Sequence, residues 1–84
     1  MSMKTIHETD FYRTSDLACA AAVSLFVPLD SIDKTDRRRA FFIFERNSEL
    51  DGLLEAFWKG TLQVEPRAYF DQIKSLKTRL YEID

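Results

Sequence analysis

At 84 residues, with 45% hydrophobic and 13% aromatic side chains, the chain has material for one packed core, and two glycines and two prolines leave little for linkers. A formal net charge of −2 argues against a dedicated duplex-DNA binder, whose phosphate contacts need a basic face. A single cysteine excludes an internal disulfide and a thiolate metal site, and no apolar run is long enough to span a bilayer.

Residues 1–9 are polar and aperiodic and are expected to form a flexible tail, leaving one α+β domain over 10–84. Phe11-Tyr12-Arg13-Thr14 has the composition of a short strand. Thr14 or Ser15 is placed to cap a helix over 16–27, with Asp16 in its first turn, where the helix dipole favours negative charge. That helix is apolar nearly all round, which predicts burial on most sides, and its alanines permit close approach to a sheet. Pro28 stops it.

Residues 29–33 read as a strand, Lys34-Thr35-Asp36 as a turn and 37–46 as the strongest strand of the chain. Its period of two sends Ala40, Phe42 and Phe44 to one face, and Phe41 and Ile43 to the other. A strand apolar on both faces belongs at the centre of a sheet, with both sides covered by its own chain or one by a partner. Asn47 or Ser48 starts the next helix, whose Leu50, Leu53, Leu54, Phe57 and Trp58 form one apolar stripe, and Gly60 is placed for a left-handed cap. Residues 61–65 alternate as a short edge strand would. Pro66 then opens a last helix on which Tyr69, Ile73, Leu76, Leu80 and Ile83 repeat every three or four residues.

The resulting order is strand, helix, strand, strand, helix, short strand, helix. It matches a small antiparallel sheet with the second and third strands central, in a ferredoxin-like split β-α-β sandwich with an extra C-terminal helix. A plainer hairpin packed among three helices is the alternative.

Thr14-Ser15-Asp16-Leu17 with Ala20-Ala21, then Phe42-Ile43-Phe44-Glu45, Phe57-Trp58-Lys59-Gly60 and Leu76-Lys77-Thr78-Arg79-Leu80-Tyr81 together resemble a small family of uncharacterised stand-alone bacterial and phage domains. The resemblance runs from about residue 10 onward and departs at Val27-Pro28, where the family pattern often closes the first helix with glycine. It implies a compact domain, transfers no catalytic residue, and points towards a phage or mobile-element accessory protein.

The candidate sites follow from charge and aromatic placement. Arg37, Arg38 and Arg39, with Lys34 beside them, are the densest charge in the chain. On a strand, alternation divides them between two faces, where they discourage edge-to-edge aggregation; a phosphate or nucleic-acid contact is the functional reading. RNA-recognition domains place stacking aromatics on a third strand after a basic residue, as Arg39-Ala40-Phe41-Phe42-Ile43-Phe44 does, but the glycine of that pattern is missing and core packing is the simpler account. On the last helix Phe70, Lys74, Lys77 and Tyr81 share a face suited to a nucleotide or an acidic partner, or to lysine stems covering apolar surface. Asp30, Asp33 and Asp36 lack the glycine and terminal glutamate of a calcium loop, and His7 stands alone in the tail.

No catalytic, cofactor or metal motif is present in the sequence. Expected is a non-catalytic cytoplasmic binding protein that acts by occupying a partner and needs no cofactor. It is expected to form a homodimer through Tyr69, Ile73, Leu76 and Leu80, or through Phe41 and Ile43. The alternative is a nucleic-acid or nucleotide-binding module using Arg37–Arg39 with Lys74 and Lys77.

Overall fold

The computed structural model describes residues 10–82; the tail expected over 1–9, with His7, and the last seam position, Ile83, lie outside the described residues. The chain runs β1 (Phe11–Thr14), α1 (Leu17–Ser24), β2 (Ser31–Asp33), β3 (Phe41–Glu45), α2 (Ser48–Lys59) and α3 (Pro66–Tyr81). The fold is α+β. The strands form one antiparallel sheet in the order β1-β3-β2, which puts the doubly apolar strand at its centre. β1 and β2 thus run parallel with β3 inserted between them, the split β-α-β arrangement that the element order predicts.

Helix starts follow local hydrogen-bonding chemistry. The Asp16 carboxylate accepts from the Cys19 N–H at 3.1 Å, so Asp16 itself caps α1, while Thr14 Oγ1 accepts from the Asp16 N–H at 3.1 Å. Asn47 Oδ1 accepts from the Leu50 N–H at 2.8 Å to begin α2. Glu65 accepts from the Arg67 and Ala68 N–H groups to begin α3, with Pro66 at the first helical position. Gly60 closes α2 at φ 78°, a conformation costly to any residue with a Cβ.

All of the helices lie on one side of the sheet. α1 is the hub, packing on α2, on α3 and on β1, and its residues from Cys19 to Val23 are all buried. Beneath it Phe42 and Phe44 point up from the sheet at 2% and 1% exposure. Leu50, Leu54, Leu76 and Val27 complete the core, with Tyr12, Ile32, Leu53 and Phe57 packed around it. Trp58, rotated about 80° from Leu50 around α2, falls at the margin of the apolar stripe and is 61% exposed, edge-on to Phe57.

Three boundaries differ from the sequence pattern. The regular part of α1 ends at Ser24, and the Phe26 and Val27 N–H groups both bond to the Val23 carbonyl in a tightened last turn. β3 begins at Phe41 instead of Arg37, because two aspartate turns curl the backbone before it: Asp33 accepts from the Thr35 N–H and hydroxyl, and Asp36 from the Arg38 N–H. Residues 61–65 form no strand. The Thr61 and Leu62 N–H groups both bond back to the Ala56 carbonyl at the end of α2, and Leu62 and Val64 turn towards Ala22, Phe57 and Tyr69 in the helical layer. The Thr61 and Leu62 donors are thus committed to α2, and the sheet has three strands among the described residues.

The two faces of β3 should separate in a stability measurement. Phe42→Ala should cost roughly 3–5 kcal/mol in urea unfolding, as expected for emptying a large core site, and Phe41→Ala less than half of that. Equal losses would mean that the Phe41 face is covered as fully as the core face, and a larger loss for Phe41→Ala that the faces are assigned the wrong way round.

Candidate functional site

The side of the sheet away from the helices is not covered by any described element. Along β1 it presents Phe11 and Arg13, along β2 Ser31 and Asp33, and along β3 Phe41, Ile43 and Glu45, as the pairings Phe11↔Glu45, Arg13↔Ile43, Ser31↔Ile43 and Asp33↔Phe41 require. A broad, shallow depression of about 630 Å³ lies on this face, lined by Phe11, Arg13, Asp30, Ser31, Asp33 and Ile43. Phe11, Phe41 and Ile43 are half-buried there, and the Arg13 guanidinium lies over the Phe41 ring.

Arg13 organises this face. Its guanidinium sits 4.5 Å from the centre of the Phe41 ring, and its Nη1 donates to Asp33 Oδ2 at 3.1 Å. The interaction crosses the whole sheet, from one edge strand over the central strand to the other. Half of the Arg13 side chain remains exposed, so the plate is fixed from below and from one side and open above. Asp33 is held in turn by Thr35, whose N–H and hydroxyl it accepts at 2.9 and 2.7 Å. These two bonds, and after them Arg13, hold the Asp33 carboxyl below its ordinary value.

The connection 34–40 leaves the sheet from the Asp33↔Phe41 pair, beside this stack. Lys34 ties its base to the helical layer by donating to the Arg79 and Glu82 carbonyls at 2.8 and 3.1 Å, which completes the end of α3. Arg37, Arg38 and Arg39 follow in the loop, all exposed, so the division between two strand faces expected for them does not occur. Among the described residues none of the three guanidiniums has an ion-pair partner; the pairs present are Arg13–Asp33, Arg46–Asp51 and Lys59–Glu55.

The other candidates separate clearly. Phe70, Lys74, Lys77 and Tyr81 lie exposed on the outer side of α3, with Lys74 Nζ 5.0 Å from the centre of the Phe70 ring. Phe70 is 60% and Tyr81 79% exposed. The seam proposed for a dimer is occupied within the chain. Leu76 is 1% exposed in the core, and Tyr69, Ile73 and Leu80 pack against it, with the Tyr69 hydroxyl donating to the Ala18 carbonyl and Gln72 Nε2 donating to Ser24 Oγ. Phe41 and Ile43, the other surface named for a second copy, are on the open face.

Sequence reasoning missed Arg13, Asp33, Ser31 and Phe11 as parts of one surface. Period two within 11–14 shows that Phe11 and Arg13 share a face, but only the β1-β3-β2 order brings Arg13 over Phe41 and to Asp33. Cys19 is buried beneath β1; burial first, and then the nearby Asp16 carboxylate, push its thiol up to about 11. Among the described residues no three His, Cys, Asp or Glu side chains converge on a point that could hold a metal ion, and no helix is long and apolar enough to cross a membrane.

The family described as a domain of unknown function (DUF5659) matches residues 9–82, and the chain belongs to it. No curated protein and no solved structure matches the chain.

Two titrations test this geometry. Because the Asp33 pKa is lowered on folding, the carboxylate contributes stability above the ordinary aspartate value, and this is lost as pH falls through the folded value. An NMR titration of its side-chain carboxyl should show a midpoint below 3.8, raised by Thr35→Val and by Arg13→Gln. A midpoint at or above 3.8 in the wild type would show that neither the turn nor the ion pair holds Asp33. For Cys19 the sign is reversed: its neutral thiol supports the fold fully below pH 9.0, and this support fades as pH climbs towards 11. Ellman's reagent at pH 8 should therefore label Cys19 only as fast as the chain opens, and prompt labelling of the native protein would show an accessible thiol.

Proposed function

We propose that this member of a family of unknown function is a non-catalytic binding module whose working surface is the open face of its sheet. The observation that carries this reading is the stack of Arg13 on Phe41, pinned by Asp33 and Thr35 on a face that no described element covers. A purely structural sheet surface of this size would be served by short polar side chains. Here three large apolar groups and a fixed, half-exposed guanidinium are held together at the edge of a depression. Such an arrangement binds through shape, apolar contact and charge, and none of the groups lining it is poised to transfer protons or attack a substrate.

The chain acts by occupying its partner. A cytoplasmic setting fits a buried cysteine without a disulfide partner. An accessory role in phages or mobile elements rests on the sequence resemblance alone.

The test compares two surfaces of one fold. Tagged wild-type protein, an Arg13→Glu/Phe41→Glu variant and a Phe70→Ala/Lys74→Ala variant are expressed in a cell that normally makes this protein, and both proteins and nucleic acids bound to each are identified. The face variant should lose whatever the wild type retains, while the α3 variant keeps it; circular dichroism checks that both remain folded. Retention by the face variant with loss from the α3 variant would overturn the assignment of the surface. Cys19→Ala should bind as the wild type does, since its thiol packs beneath the sheet and takes no part in the surface.

A further inference from the structure

The open face is chemically uneven along its length, and this narrows what it can accept. The end from which the 34–40 loop departs carries Arg13 on the sheet and Lys34, Arg37, Arg38 and Arg39 in the loop, five cations against the two carboxylates Asp33 and Asp36. Both of those carboxylates are already engaged. Asp33 accepts from Arg13 and Thr35, and Asp36 accepts from the Arg38 N–H. At the opposite end Glu45 stands across from Phe11, and Asp30 lies on the same side. The net charge of −2 is an average over the chain: α2 and α3 with their caps carry six carboxylates against five cations (Lys59, Arg67, Lys74, Lys77 and Arg79), so the placement of charge along this face, and not the total, bears on a ligand.

Three exposed guanidiniums with no ion-pair partner among the described residues, beside a guanidinium held over an aromatic ring, match two repeating features of one kind of polymer, phosphates and planar bases. We infer that the open sheet face, taken as the working surface proposed above, binds a short stretch of single-stranded nucleic acid, with a base lying on the Arg13–Phe41 stack and the neighbouring phosphates held by Arg37, Arg38 and Arg39. A duplex does not fit this surface. Its major groove admits a helix or a two-stranded ribbon, not the broad face of a three-stranded sheet, and its paired bases offer no free planes. Arg13 is suited to stacking because its guanidinium is held before a ligand arrives; the bond to Asp33 and the ring below restrict rotamers that it would otherwise lose on binding. The acidic end limits the length. Phosphates are repelled near Glu45 and Asp30, so the site spans on the order of two or three nucleotides.

The probes are fluorescent oligo-uridylate and oligo-thymidylate of about twelve nucleotides, titrated with wild-type protein at several salt concentrations. Saturable binding is expected for at least one, weakening as salt rises. A preference for the first would assign RNA and equal affinity would assign single strands in general. Replacing Arg37, Arg38 and Arg39 together by alanine should weaken binding and flatten the slope of log affinity against log salt by about 2. Phe41→Ala should weaken it roughly 5- to 100-fold. Arg13→Lys, which keeps the charge and removes the plane, should weaken it with the salt slope unchanged. That variant leaves the core untouched, so it carries the test if Phe41→Ala is unstable.

Three outcomes overturn the inference. One is no saturable binding of either probe at protein concentrations on the order of 100 μM, the weak limit for non-specific contacts. Another is loss of binding with the loop arginines but none with Phe41→Ala and Arg13→Lys, which would place the contact in the loop alone. The last is a dimer in light scattering that Arg13→Glu/Phe41→Glu dissolves, which would show the face covered by a second copy. The first and last of these reject single-stranded nucleic acid as the occupant and leave the face as the working surface; the second moves the nucleic-acid contact off the face, and the two-surface comparison in cells tests the face itself.

Discussion

The burial of α1 constrains the rest of the molecule. From Cys19 to Val23 the helix has no solvent-facing position, so it must be covered on every side. Its side chains are small, which lets α2, α3 and the sheet all come close to one axis and close the core around Phe42, Phe44, Leu50 and Leu76. A chain of 84 residues has one helical layer to offer. Because α1 draws both of its partner helices to its own side, no element among the described residues covers the other face of the sheet.

That uncovered face is stabilised by a different kind of interaction. On the inner side, apolar groups interlock. On the outer side Phe11, Phe41 and Ile43 stay half-buried, and the Arg13 guanidinium lies over Phe41 and is matched by Asp33. The exposed ion pair by itself contributes little to stability. Its larger effect is geometric, because a guanidinium held by a carboxylate and by a ring cannot swing away, and Thr35 keeps the carboxylate from swinging either. A surface fixed in this way can recognise a planar group at a small entropic cost.

The loop beside it follows the same logic. Asp33 and Asp36 hold the backbone in turns, and Lys34 fastens the base of the loop to the end of α3. These contacts engage the carboxylates and the lysine and leave the three arginines pointing into water. A run that would have been divided between two strand faces is thereby gathered at one end of the sheet.

Most of the fold could be read from residue patterns, because those patterns report local physics. The all-round apolar segment at 17–27, the double apolar strand around Phe42, the stripe from Leu50 to Phe57, Gly60 and Pro66 each belong to one element and need no knowledge of their neighbours. Local reading failed where a polar side chain competed for the backbone, at Asp33 and Asp36 before β3 and at Asp16 before α1, since a carboxylate serves a turn or a cap as readily as solvent. It also failed over 61–65, where the alternation of Leu62 and Val64 suits a strand but is satisfied by helices. What the sequence by itself determined is the set of elements and which residues of each must be hidden, because periodicity acts within one segment. Only the tertiary structure decided that both α2 and α3 pack on the α1 side, that one face of β3 stays open, and that Arg13 meets Phe41 and Asp33 there. Those juxtapositions depend on strand order and layer placement, and residues far apart in the chain carry no local signal of either.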